Sequence, residues 1–249
     1  MELNDMIMVS VDDHVVEPPD LWTSRLPAKY QDRCPRIERD TARFNFEGGV
    51  FSYEKGVEGG EMCDWWLYDD LIYPFPKLSA AAGFDQLDVV PVTFDDILPA
   101  SWKQKERLAA MDENHVDVSV CFPNVLPRFC GQAFLERDDK ELALLCVQAY
   151  NDFLIDWCSE DPKRLIPVMA TPFWDIEEVV KEIERCAKKG HRAVLGAGQP
   201  QDFGQPVVGN KHWDPVWAAA QDAGLSISFH IGGGPKLDPR KIEQRAMCA

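Results

Sequence analysis

Leu165-Ile166-Pro167-Val168-Met169-Ala170-Thr171, then Asp175 through Lys188-Lys189-Gly190, then Ala193-Val194-Leu195-Gly196: an apolar run, an amphipathic stretch and a second apolar run decide the fold class. The two apolar runs read as buried strands. Between them, Asp175 with Glu178 three residues on makes a capping-box-like start, and Ile176, Val179, Val180 and Ile183 give one buried stripe. Lys188-Lys189-Gly190 supplies a cationic last turn and a left-handed stop. Strand, helix, strand in this order is a βαβ unit, whose strands run parallel with a right-handed crossover.

The same alternation extends in both directions. Upstream, Leu142, Cys146, Tyr150, Phe153, Leu154 and Trp157 recur at three or four residues and mark one face of a helix from about Lys140 to Ser159. Before it, Val118 to Pro123 reads as a strand followed by a loop through Arg128 and Gly131, and Trp102 to His115 as a helix. Downstream, Asp214-Pro215 starts a helix with an acid at the N-cap and proline at N1, running to a stop at Gly224, and a strand follows over 225–230. The apolar run Ile7-Met8-Val9-Val11 opens the chain. Five strands with four helical crossovers fit an α/β fold, either a TIM-type (β/α)8 barrel or an open doubly wound sheet.

The barrel is favoured because its functional groups come from the C-terminal ends of several strands. Asp12 and His14 close the first strand and His230 closes the fifth. A nucleotide-binding sheet would place a glycine-rich turn after its first strand, where this chain has Val15-Val16-Glu17-Pro18. Residues two apart on a strand share a face, so Asp12 and His14 can aim a carboxylate and an imidazole at one point, and His230 adds a second imidazole. Oxygen and nitrogen donors at two strand ends suit a mononuclear divalent metal site. His115, His191 and His212 sit at helix ends and read as surface or capping residues. Gly196-Ala197-Gly198 lacks the rest of a dinucleotide fingerprint. Gly232-Gly233-Gly234 reads as a flexible loop.

The 249 residues, 45% hydrophobic, suffice for one domain over 1–249. Residues 15–100, rich in proline and aromatics, read as an irregular insertion over the strand-end face, with a short hairpin around Ala42 to Tyr53. A net charge of −16 excludes nucleic acid and an anionic membrane as expected partners. The eight cysteines are scattered singly through apolar segments and read as buried thiols. With no signal-like leader and no spanning apolar run, the expected compartment is the cytoplasm.

The residues resemble the amidohydrolase-related family of the aminocarboxymuconate semialdehyde decarboxylase type. The resemblance is carried by Val11-Asp12-Asp13-His14 with Glu17-Pro18, Arg107-Leu108 with Met111-Asp112, Cys121-Phe122-Pro123, Tyr150-Asn151-Asp152, Arg164-Leu165-Ile166-Pro167, His212-Trp213-Asp214-Pro215 and Phe229-His230-Ile231-Gly232. It implies a metal-dependent barrel in which Asp12, His14 and His230 match the metal-ligand positions, with zinc the usual ion. It implies hydrolysis or nonoxidative decarboxylation of a small, aromatic or unsaturated carboxylic acid. Trp174, just beyond the third strand, reads either as a substrate wall at the barrel mouth or as a simple packing residue. The family pattern goes on to a sixth-strand histidine and an eighth-strand aspartate that have no counterpart here, so only the first five strands are expected. The alternative is an inactive fragment that serves as an interaction module or pairs with a full-length homologue; a homo-oligomer is the other expected assembly.

Overall fold

A computed structural model describes residues 6–47, 50–86, 88–124, 126 and 131–230. The loop position Arg128, the Gly232-Gly233-Gly234 loop and the tail from Lys236 lie outside the described residues. Five strands, β1 (Val9–Val15), β6 (Val118–Pro123), β7 (Leu165–Met169), β8 (Ala193–Gly196) and β9 (Ser226–Phe229), form one sheet in the order β1-β6-β7-β8-β9. Every neighbouring pair is parallel. The crossovers carry α1 (Gln104–Glu113), α3 (Lys140–Cys158), α4 (Ile176–Lys189) and α5 (Asp214–Asp222), with the one-turn α2 (Gln132–Leu135) before α3. This curled parallel sheet is part of a TIM-type barrel.

The helix ends follow from capping chemistry. Asp139 accepts from the Leu142 N–H at the start of α3, and Asp175 accepts from the Glu177 and Glu178 N–H groups at the start of α4. Gly190 ends α4 at φ 112°, a conformation that a side chain would strain. α5 differs from expectation. Asp214 is its first helical residue, and the capping side chain lies upstream, where Asn210 accepts from the His212 N–H ahead of a short 3-10 turn.

Two apolar clusters hold the helices to the sheet. One gathers Leu142, Cys146, Tyr150, Leu154 and Trp157 of α3. The other joins Val168, Met169, Val194 and Leu195 to Val179, Ile183 and Val216 of α4 and α5. Asn151 ties the layers: its side chain exchanges two hydrogen bonds with the Ala170 backbone at 2.8 and 3.0 Å and donates to Glu182 at 2.8 Å. His191 proves to be buried rather than at the surface, its Nε2–H donating to the Asn151 carbonyl at 2.9 Å. His212 is exposed, and His115 follows α1 at φ 56°.

The segment between β1 and α1 is more regular than its sequence suggested. β2 (Arg36–Glu47), β3 (Val50–Lys55), β4 (Glu61–Tyr68) and β5 (Leu71–Pro74) form an antiparallel sheet in the order β3-β2-β4-β5. The expected hairpin is β2 and β3, paired from Ala42↔Lys55 to Glu47↔Val50. Trp66, Tyr68 and Phe75 enter the larger core cluster, while Trp65, Phe44 and Tyr53 make a satellite. The segment packs on α3, where Trp22 Nε1 donates to the Cys146 carbonyl at 3.0 Å. It also reaches the end of β6, where Asn124 donates to the Ser79 carbonyl and the buried Glu17 accepts from the Asn124 N–H. The six described cysteines are buried free thiols. Among the described residues, no helix is long and apolar enough to cross a membrane.

Candidate metal centre

β1 and β9 are the two edges of the five-stranded sheet, yet their C-terminal ends meet side chain to side chain. In a flat sheet four spacings of about 4.8 Å would hold them roughly 19 Å apart. Here His14 Nε2 lies 3.1 Å from His230 Nε2, and Asp12 Oδ1 lies 2.9 Å from His230 Nε2 and 3.5 Å from His14 Nε2. The sheet therefore curls far enough for its first and last strands to face each other across the barrel mouth. Donors bound to one ion at about 2.0–2.2 Å stand about 3.0–3.5 Å apart at octahedral or tetrahedral angles, so the triangle has the size of a coordination face.

The orientation of His14 is fixed from behind. Its Nδ1–H donates to the Pro123 carbonyl at 2.6 Å, which leaves the Nε2 lone pair aimed at the triangle. Arg107, on α1, donates to the His14 backbone carbonyl at 2.8 Å and to that of Ala100 at 2.7 Å. Burial pushes the His14 pKa down, with the Pro123 carbonyl opposing and His230 adding to the effect. A neutral imidazole is the form that binds a metal. Phe122 walls the site, its ring 6.0 Å from that of His14 and 5.6 Å from that of His230. His14 and His230 are 24% and 13% exposed and Asp12 is 65% exposed, so the open side of the triangle is the carboxylate side.

The structure thus brings together the three donors singled out by sequence, Asp12, His14 and His230, and among the described residues they are the one cluster of this kind. Trp174 packs against both core clusters, beside Phe173 and under the Lys140 ammonium, 5.7 Å from its ring. Sequence reasoning singled out the stretches holding Asp13, Phe122 and Pro123 but assigned no role to any of the three. Their roles depend on strand register, and the one local signal was the adjacency of Asp13 to two donors.

A barrel mouth with nitrogen and oxygen donors on its strand ends defines the α/β-barrel class in which chemistry is done at that face. The chain belongs to the amidohydrolase family, whose profile matches residues 65–248. Among solved structures it is similar to an amidohydrolase from Mycobacterium avium subsp. paratuberculosis K-10, at TM-score 0.61 and 21% identity over 97% of this chain and 62% of that one. It is also similar to 2,6-dihydroxybenzoate decarboxylase from Rhizobium, at TM-score 0.51 and 16% identity over 97% and 55% of the two chains. A third is the dihydroxybenzoic acid decarboxylase from Polaromonas sp. JS666, solved with bound manganese and 2-nitroresorcinol, at TM-score 0.50 and 16% identity over 97% and 53%. The chain therefore spans between half and two thirds of the length of these three structures. No curated protein matches it.

Proposed function

We propose that the protein is a metal-dependent enzyme of the amidohydrolase superfamily that decarboxylates a small aromatic carboxylic acid without an oxidant. One observation carries this reading: Asp12, His14 and His230 converge within 3.5 Å of one another from opposite edges of the sheet. Two imidazoles and a carboxylate suit either zinc or manganese, and both are within the proposal. A divalent ion at such a site supplies Lewis acidity toward a carboxylate or phenolate oxygen. The chain's own part is to hold the three donors, to keep His14 neutral and to wall one side with Phe122. Residues 15–100 form the cover of this face within a single domain, with Ser79 and Glu17 anchoring it to the turn after β6.

The test is turnover of a panel of hydroxylated benzoic acids by the purified chain with added Mn²⁺ or Zn²⁺, followed as loss of the carboxylate and release of CO₂. Metal-dependent CO₂ release supports the reading, and abolition in His230→Ala ties it to the site. Metal-dependent hydrolysis of ester or amide substrates without CO₂ release would replace it with a hydrolase. A second reading, a noncatalytic module that pairs with another chain, is favoured by the β1 edge, where Val9 is 45% and Val11 is 67% exposed. Absence of both metal binding and turnover in a folded chain would leave that reading standing.

A further inference from the structure

Asp13 stands between two of the proposed ligands and faces away from both. The pairing of β1 with β6 runs Val9↔Val118 and Ser10↔Ser119, then resumes at Asp13↔Cys121 and His14↔Phe122. Three steps along β1 match two along β6, so β1 carries one extra residue, a β-bulge, at Val11-Asp12. In an unbroken strand Ser10 and Asp13 would point to opposite faces. Across the bulge they share one, and Ser10 Oγ donates to Asp13 Oδ1 at 2.7 Å. On the neighbouring strand the fully buried Ser119 donates its hydroxyl to Asp13 Oδ2 at 2.6 Å.

We infer that Asp13 is a positioning residue: clamped by the Ser10 and Ser119 hydroxyls, it locks the β1 bulge and thereby sets the face on which His14 meets His230. A slip of one residue in strand register turns every side chain to the other face. Loss of the bulge would move His14 from register with Phe122 to register with Pro123, whose carbonyl now takes its Nδ1–H. The clamp engages Asp13, the residue between Asp12 and His14. It acts on the backbone between these two donors, and both carboxylate oxygens of Asp13 are engaged on the far side of the strand.

This inference rests on the metal-site reading above, and its test is built so that the two can fail separately. Asp13→Ala, Ser119→Ala and Ser10→Ala are compared with wild type by calorimetric titration with Mn²⁺ and, in the metal-free protein, by the proton–proton NMR contact between the His14 and His230 rings. Asn151→Ala, which loosens the α3–β7 junction instead, serves as the control for general destabilisation. The expected result is a roughly 10–100-fold loss of Mn²⁺ affinity in the clamp variants, the range of outer-shell substitutions. The ring contact weakens in parallel, neither changes in Asn151→Ala, and Ser10→Thr, which keeps the hydroxyl, restores both. Affinity within twofold of wild type with an intact ring contact in the clamp variants would overturn the inference. If wild type binds neither Mn²⁺ nor Zn²⁺, the metal reading fails and the ring contact alone decides the clamp. Ser10→Ala, at the strand's outer end, keeps the test alive if Asp13→Ala does not fold.

Discussion

The two sheets of this protein use similar amounts of chain for different ends. The parallel sheet is built of short, mostly apolar strands, with Asp12 and His14 in the C-terminal half of β1 and His230 just after β9. The antiparallel sheet carries its polar groups along its length: Arg39 grips the buried Asp64 through Nε and Nη2 at 2.8 and 3.0 Å, and Lys55 pairs with Glu38 and Asp40. The difference teaches where chemistry can live. A strand end in a parallel sheet leaves the core without leaving the scaffold, so its side chain is both held and open. The middle of a strand in a two-faced sheet is committed to packing or to pairing.

Substitutions should separate the two roles. The largest effect belongs to Trp66→Ala in the antiparallel sheet. Trp66 is fully buried, with its ring against those of Trp22 and Phe94, and its truncation is expected to cost about 3–5 kcal/mol in urea unfolding. Below its unfolding transition the variant should bind Mn²⁺ as wild type does, and a lost site would show that the antiparallel sheet shapes the donors. Next come His14→Ala and His230→Ala, which should lose more Mn²⁺ affinity than the roughly 10–100-fold that an outer-shell change costs, with little change in unfolding midpoint. Equal affinity in either would remove that histidine from the ligand set.

Smaller effects probe the scaffold of the parallel sheet. Gly190→Ala forces a side chain into φ 112° and sets its Cβ 3.4 Å from Ile155 Cδ1, for an expected loss of about 1–2 kcal/mol in thermal unfolding and no change in metal binding. The smallest is a pH effect at His191, whose pKa burial lowers from the ordinary 6.5. The fold favours the neutral ring, so this contribution is complete above pH 6.5 and is lost as the pH falls toward the depressed folded value. His191→Gln should therefore flatten the acid side of the stability profile measured in chelator. An unchanged slope would mean that the ring takes up a proton without disturbing Asn151.

The parallel sheet was legible because β6, β7 and β8 are mostly apolar runs and α3, α4 and α5 each have an apolar face with a cap or a stop at an end. The four antiparallel strands were not, apart from the β2–β3 hairpin. Trp65 and Trp66 are adjacent and both buried, on opposite faces, so no polar alternation marks β4. Two of the prolines that read as irregularity mark strand ends, Pro35 just before β2 and Pro74 at the end of β5. The triad Asp12, His14 and His230 was legible because its donors sit at the ends of readable strands. The support behind it was hidden for a physical reason. The Pro123 carbonyl is backbone, and the Asp13 contact depends on a one-residue offset between strands 106 residues apart, which no local pattern encodes.

The meeting of His14 with His230 spans 216 positions of sequence. An ion gripped there would act as a clasp on a hoop, joining the start of the sheet to its far edge and shutting a loop that takes in nearly the whole fold. Closing so long a loop is a task of chain entropy, and anything that binds the closed hoop alone draws the folding equilibrium toward it by mass action. The donors come into register only after every strand between them has been laid down, so uptake of the ion would be the last event of folding and a direct reading of its completion.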